Sequence, residues 1–403
     1  MSLPLFLARR LSLSSEGHKS SPSVRVATVA VALSVAVMIA AIAIVLGFKK
    51  EITGRVTGFN PHITISTHPE VYPDDPLVSL TPSMKKILDE TPFISGYSLS
   101  GAIPGILKTT DDFKGIYLKS ASGDDTRSFL ASQLEEGVIP DFSKTSDSIV
   151  ISRRAADQLA LRTGDKVDTY VLTNSVRVRR LTVAGVYNSH FDTYDDIYTF
   201  VPLPLVQQLG NVRTDQGTQI AISVDDFSRV EEYAAWLRQR LAEAYDKGEI
   251  YRFCAVDTAR QSGANYFSWL SLLDMNVIVV LSLMTAVACV TLVSGMLTVI
   301  VDKQRFIAIM KAMGASDSML RTTFVWLALR VAATGMIAGD LLMTALLYLQ
   351  KETHLIPLDP ESYYIDFVPV EISWPAIALL NAGVAVVAWL VLVLPARFVA
   401  TVR

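Results

Sequence analysis

The sequence predicts an α-helical membrane domain of four transmembrane helices, with a large α+β extracytoplasmic domain inserted between helices 1 and 2. Three observations lead there. Of the 403 residues 51% are hydrophobic and 19% charged, so the apolar residues must be concentrated in parts of the chain. Residues 26–48, 275–301 and 372–396 carry no charge, and a span needs roughly 20 apolar residues to cross about 30 Å of hydrocarbon. Residues 49–270, between the first two runs, read as mixed α/β.

A fourth run, 322–349, contains Arg330 and Asp340. It spans only if those charges face protein or water. The first run follows Arg9, Arg10, Lys19 and Arg25 but leads straight into Lys49 and Lys50. It is too long for a signal peptide and lacks a small-residue cleavage site, so it reads as a retained anchor. Orientation follows the basic residues of the short loops. The N-terminal segment has four, and the 302–321 connection has Lys303, Arg305, Lys311 and Arg321. The connection after the third span has Lys351 alone against Glu352, Asp359, Glu361, Asp366 and Glu371. Both termini and the 302–321 loop are therefore placed in the cytoplasm, with Lys49 and Lys50 as an anomaly on the far side.

The predicted organisation is a cytoplasmic N-terminal segment (1–25) with an interfacial helix around LPLFLARRL, then a first span (26–48) and an outer domain (49–270). A second span with its stalk (271–301), a cytoplasmic helix (302–321) and a third span (322–350) follow. An outer loop (351–371), a fourth span (372–396) and a cytoplasmic tail (397–403) complete the chain. Residues 257–274 have one internal glycine and no proline, which predicts a stalk helix continuous with the second span.

Within the outer domain HITIS (62–66) alternates like a half-buried strand after the FNP turn, and SIVIS (148–152) and KVDTYVL (166–172) are strand-like. RVRRLTVAGVY (177–187) is predicted to pair back on the last of these through Asn174. Helices are expected over 152–160 and 228–245. In the second, Val230, Tyr233, Ala234, Leu237 and Leu241 share a face and Asp226 is available as a cap. Irregularly mixed strands and helices point to α+β rather than a wound parallel sheet.

No catalytic motif is found. The chain has no GxxxxGK[ST], so it has no P-loop of its own. SLSGAIPG (98–105) misses the GxSxG elbow. His62, His68 and Glu70 lack helical ligand spacing, and HFDTYDD (190–196) reads as a solvated acidic loop rather than a cation site. Cys254 and Cys289 are too few for a disulfide framework. A net charge of −3 without a basic tract gives no case for nucleic acid. In the third run Gly335 and Gly339 form a GxxxG pair that permits close helix approach. Asp340 is divided between a neighbour-satisfied polar residue and a functional one.

The 301–324 segment, VDKQRFIAIMKAMGASDSMLRTTF, resembles the coupling-helix segment of MacB/FtsX-like (type VII) ABC permeases. Lys303, Ile307, Ile309, Met310, Lys311, Met313, Gly314, Ala315 and Ser316 match, while Phe306 occupies the usual acidic position. The resemblance implies that this helix docks on a separate P-loop ATPase subunit, with Arg305 and Phe306 also at that surface. As a docking knob, Ile307, Met310 and Met313 are expected to form a compact apolar face, Gly314 to end the helix and Ser316 or Asp317 to cap the next.

Within that superfamily the chain is most similar to LolC/LolE-type lipoprotein-releasing permeases, along nearly its whole length. GFNPHITI (58–65), SGAIPGILKTTDDFKGIYLK (101–120), RRLTVAGVYNSHFDTYDDIYTF (179–200) and LIPLDPESYYIDFVPVEISW (355–374) carry the likeness. It implies a MacB-like periplasmic domain, the bacterial inner membrane, a second permease copy or paralogue, membrane lipid and an acylated lipoprotein cargo. ATP and magnesium would be bound by the partner ATPase, with no cofactor in this chain. The family's third-span glycine series falls on Phe324, Ala328, Ala332, Gly335 and Gly339, and the last four are the expected packing positions. Val37, Ile44 and Met284 are assigned to the cargo entrance. The long hairpin that recruits a periplasmic carrier chaperone in LolC-type subunits is replaced by the short TNSVRV (173–178), which predicts that this hook is lacking. The alternatives in the superfamily are MacB-like efflux of peptides or amphiphiles and FtsX-like signalling to a cell-wall hydrolase.

Overall fold

The computed structural model describes residues 22–73, 75–121, 123–142, 146–172 and 176–396. The expected interfacial helix, the tip of the 166–187 hairpin and the C-terminal tail lie outside them. Helix α1 (Pro22–Phe59) is followed by strands β1 (Ile63–Thr67) and β2 (Val78–Ser79) and helix α2 (Pro82–Asp89). Strands β3 (Ile94–Ser100), β4 (Ala102–Lys108) and β5 (Phe113–Ser120) lead to α3 (Asp124–Ser132). Then come β6 (Leu134–Gly137), β7 (Ser148–Ser152), α4 (Arg153–Leu159), β8 (Lys166–Leu172), β9 (Val176–Tyr187) and α5 (Asp192–Asp195). Next are β10 (Tyr198–Val201), α6 (Leu203–Gly210), β11 (Gln216–Gly217), β12 (Gln219–Val224), α7 (Val230–Asp246), β13 (Cys254–Thr258) and α8 (Ala259–Ser262). The chain ends with α9 (Ala264–Asp302), α10 (Gln304–Ala312), α11 (Asp317–Thr353), α12 (Pro360–Tyr363) and α13 (Trp374–Ala396).

The chain divides into two compact units. The first comprises 1–50, 269–358 and 367–403, and the second 51–268 with 359–366. In the first unit four helices, α1, α9, α11 and α13, are long and apolar enough to cross a membrane. Val31, Val35, Met38 and Ile39 of α1 pack with Leu292 and Met296 of α9, Phe324 and Ala332 of α11 and Val384 and Ala388 of α13. Lys49 and Lys50 are answered by carboxylates. The Lys49 ammonium donates to Asp274 at 2.6 Å and that of Lys50 to Glu371 at 2.9 Å. Each of the two lysines that stood out in the charge count is thus paired with an acid.

The second unit is α+β with two cores. Its antiparallel sheet, ordered β13-β1-β12-β3, packs Ile63, Ile65, Ile220 and Val256 against α2 and α7. Helix α7 buries Val230, Tyr233, Ala234, Leu237 and Leu241, and the Asp226 carboxylate accepts from the Ser228 amide in the turn ahead of it. The other sheet runs β6-β9-β7-β10-β5-β4-β8. It closes on itself because β9 is long enough to pair twice, antiparallel with β8 through 176–182 and parallel with β7 through 182–187. Helices α4 and α6 pack on its apolar interior through Ala155, Leu159, Leu205 and Leu209.

Two expectations change, and one helix proves longer than its apolar run. Helix α1 continues beyond residue 48 to Phe59, because charged side chains end a hydrophobic run without ending a helix. Residues 257–263 are not stalk helix. Asp257 and Thr258 belong to β13, and Thr258 forms a capping box with Gln261 over a single turn that closes at Gly263. The helix proper starts at Ala264. HFDTYDD is not a solvated loop. It folds as α5, with Phe191 and Asp195 buried and Phe191 packed against Tyr266 and Tyr364.

Candidate docking site and helix seam

Helix α10 is joined to α11 by a short capped turn. Gly314 takes φ +91°, a backbone region that costs an L side chain roughly 1–2 kcal/mol. The Gly314 amide donates to Lys311 O at 2.9 Å and the Ala315 amide to Met310 O at 3.0 Å. These are the two bonds of a Schellman C-cap. Ser316 then caps α11, its hydroxyl accepting from the Met319 amide, and Lys311 pairs with Asp317 across the turn at 3.3 Å.

The face of α10 differs from the expected one. Ile307 is fully buried in the membrane-unit core, and Met310 and Ala315 pack against that core from its edge. The apolar side chains turned outward are Ile309, 52% exposed, and Met313, 69% exposed. Arg305, Gly314 and Ser316 are exposed with them, while Lys303 and Phe306 are half-buried. Periodicity located the stripe but not which of its two sides the chain's own helices occupy.

Helix α11 lies against α1 through its small residues. A Cβ added to Gly335 would stand 2.9 Å from Thr28 O, and one at Gly339 would stand 2.5 Å from Ala32 O. Ala328 and Ala332 are buried on the same helix. Asp340 accepts a hydrogen bond from the Asn381 amide of α13 at 2.9 Å. Asn381 was not foreseen, although it is the one amide in the fourth apolar run and therefore the natural partner for an acid in the third. Val37, Ile44 and Met284 are each half-buried, and Met284 packs onto the core. The shallow apolar depressions of this unit are lined by other residues, among them Gly295, Val331, Cys289 and Val293.

In the second unit the last residues of α1 are gripped by the closed sheet. The Phe59 ring stacks on Tyr194 at 4.8 Å and meets Phe129 edge-on at 4.9 Å. The buried Lys119 ammonium donates to Phe59 O at 2.6 Å and lies 4.5 Å from the centre of the Tyr198 ring. A cation at a helix C-terminus is favoured by the helix dipole, but burial still lowers the Lys119 pKa to about 8. The buried Arg55 guanidinium donates to Ser189 O. His62, weighed above as a ligand, accepts the Val224 amide through Nδ1, and His190 pairs with Asp366 at 3.1 Å.

Asp195 accepts from both the amide and the hydroxyl of Ser189, at 3.1 and 2.6 Å. Burial nonetheless raises its carboxyl to about 6, outweighing those bonds and the nearby Arg55. The folded value lies above the unfolded one of about 3.9, so between them the folded state holds more protons. This contribution is complete below about 4 and is lost as pH rises through about 6. Exchange protection of the 189–196 amides, corrected for intrinsic rate, is expected to fall from pH 5 to pH 7 more in the wild type than in Asp195→Asn. Equal pH responses would contradict it.

Residues 26–240 match the family described as MacB-like periplasmic core domain, and residues 276–402 match FtsX-like permease C-terminal. The chain belongs to the MacB-like permease family. It is a LolC/LolE-type permease by its full-length relatives. It is 23% identical to the lipoprotein-releasing system transmembrane protein LolE of Haemophilus influenzae, over 93% of this chain and 91% of that one. It is 25% identical to the LolC protein of Xylella fastidiosa, over 91% and 88%. The periplasmic region of MacB from Actinobacillus actinomycetemcomitans aligns with 50% of this chain and 91% of its own at 15% identity and a TM-score of 0.35. A LolC/LolE-type permease is a membrane protein with a periplasmic domain, and α10 lies within its FtsX-like part.

Proposed function

We propose that this chain is the permease subunit of an ABC transporter that extracts lipoproteins from the bacterial inner membrane for sorting to the outer membrane. The observation that carries this reading is likeness, along nine-tenths of the chain, to relatives named as lipoprotein-releasing transmembrane proteins. In this reading α1, α9, α11 and α13 cross the membrane, both termini are cytoplasmic, and the α+β unit is inserted between the first two crossings on the periplasmic side. A separate P-loop ATPase, which binds ATP and magnesium, docks on α10 through Arg305, Ile309 and Met313. The Gly314–Ser316 turn fixes the angle at which α10 meets α11. A second permease copy or paralogue completes the transporter, and acylated cargo enters laterally from the lipid. The glycine seam supports this arrangement, because two backbones in close contact move as one body.

The test is reconstitution of the permease with its ATPase in proteoliposomes carrying a triacylated lipoprotein. ATP-dependent appearance of the lipoprotein in the soluble fraction is the expected result. Coupled ATP hydrolysis without release would remove the cargo and leave the permease assignment standing.

A further inference from the structure

Within the periplasmic unit, a cleft of about 270 Å³ opens where the two sheets meet. Strand β12 contributes Gln219, Ala221 and Ser223, every second residue, so it shows the cleft one face. Directly opposite them in register stand Ser100, Ser98 and Gly96 of β3, which share that face. Ser95 and Tyr97 line the cleft as well. Ser95 is the extra residue at a register shift between β3 and β12. The Tyr97 side chain is turned away, packed on the opposite core with its hydroxyl donating to Asp89 at 2.7 Å. Tyr97 therefore meets the cleft through its main chain, and β3 is the strand at the edge of its sheet there.

That edge is free. Strand β3 ends the order β13-β1-β12-β3, and no strand among the described residues pairs with its other side. Proteins usually guard such an edge with lysine, proline or an inward charge. The sequence ISGYSLS over β3 has neither a charge nor a proline. A Cβ built on Gly96 meets nothing within 4 Å. The floor of the cleft holds Lys119, whose three N–H bonds meet one carbonyl and a ring face. Phe59, the last residue of α1, is part of the lining.

We propose that the free edge of β3, over Gly96–Leu99, is a binding site for an extended polypeptide segment with small side chains, which adds as a fifth strand. The occupant is the stretch that follows the acylated N-terminus of the cargo, so the inference rests on the lipoprotein reading. Main-chain hydrogen bonds supply affinity without demanding a sequence, as in other edge-strand complexes. The cleft is small and is walled also by Gly123, Asp124, Asp125 and Thr126, so the inward positions of an added strand have room only for small side chains. A segment whose lipid anchor is still in the bilayer is extended as it leaves the membrane, and α1, which carries the first apolar run, ends in this cleft.

The test uses the full chain with its ATPase in proteoliposomes, in a Cys254→Ser, Cys289→Ala background. Gly96→Cys and Ser98→Cys are each combined with a triacylated lipoprotein whose linker carries one cysteine, moved one residue at a time. Strand pairing predicts disulfide cross-links under mild oxidation at alternate linker positions, with loss at every second one. The positions giving cross-links should shift by two residues between the two variants. Normal release with even or absent cross-linking overturns the proposal alone, and so do cross-links between permease copies in place of cargo. Absence of both release and cross-linking, in a preparation with coupled ATP hydrolysis, removes the cargo reading and the proposal with it.

Discussion

Ile309→Glu and Met313→Glu are expected to abolish co-purification of the ATPase subunit while the permease itself stays folded. Both side chains face outward from α10, so a charge there is solvated in the isolated chain and costs it little. In a docked complex the same charge would be desolvated, and each apolar anchor lost from an interface centre costs about 2 kcal/mol, roughly thirtyfold in affinity. Ile307→Glu separates the two roles of this helix. Its side chain is 0% exposed in a core shared with Leu320 and Phe324, and an unpaired charge there destabilises by roughly 3–5 kcal/mol. That variant should lose thermal stability before any partner is added. Undiminished ATPase binding by the Ile309→Glu, Met313→Glu double variant would sink the assignment of the docking face.

Gly339→Leu should be the most destabilising single change in the helix seam. Its new Cβ would stand 2.5 Å from Ala32 O and 3.2 Å from Ala32 Cα. Main-chain atoms of a packed helix cannot swing aside, so α1 and α11 must separate along their length. Overpacking a core ordinarily costs about 1–3 kcal/mol, and a backbone obstacle puts this case at or above the top of that range. Gly383→Leu is the matched control, since a Cβ on Gly383 meets nothing within 4 Å. The measurement is the fraction of full-length protein that remains monodisperse after heating in detergent. Indistinguishable melting of the two variants would show that the glycines are not at a close contact.

Much of this site was legible because it depends on spacing. Gly335 and Gly339 fall on one face of any helix, and a lone Asp340 in an apolar run demands a partner. The Gly314–Ala315–Ser316 turn announces a helix stop and restart whatever surrounds it. What spacing did not determine was which side of α10 the protein uses for itself. Ile307 and Ile309 are equally apolar, and only the position of Phe324 and Leu320 decides that one is core and the other surface. The acidic run 190–196 misled for a related reason. Its composition is that of a solvated loop, but Phe191 and Tyr194 carry it inward, and Asp195 follows at the cost of a raised pKa.

By itself the sequence determined the four apolar runs, the α+β character of the part between the first two, and the residues that cap, break and closely pack the helices. Those properties are set by hydrophobicity and by backbone preference, which act within a few residues along the chain. Tertiary structure alone decided that β9 closes a sheet by pairing twice, that Lys49 and Lys50 find Asp274 and Glu371, and that Asn381 reaches Asp340. It also left β3 at an edge in a polar cleft. Each of these depends on groups far apart in sequence, whose meeting is settled by how whole faces pack and not by any local preference.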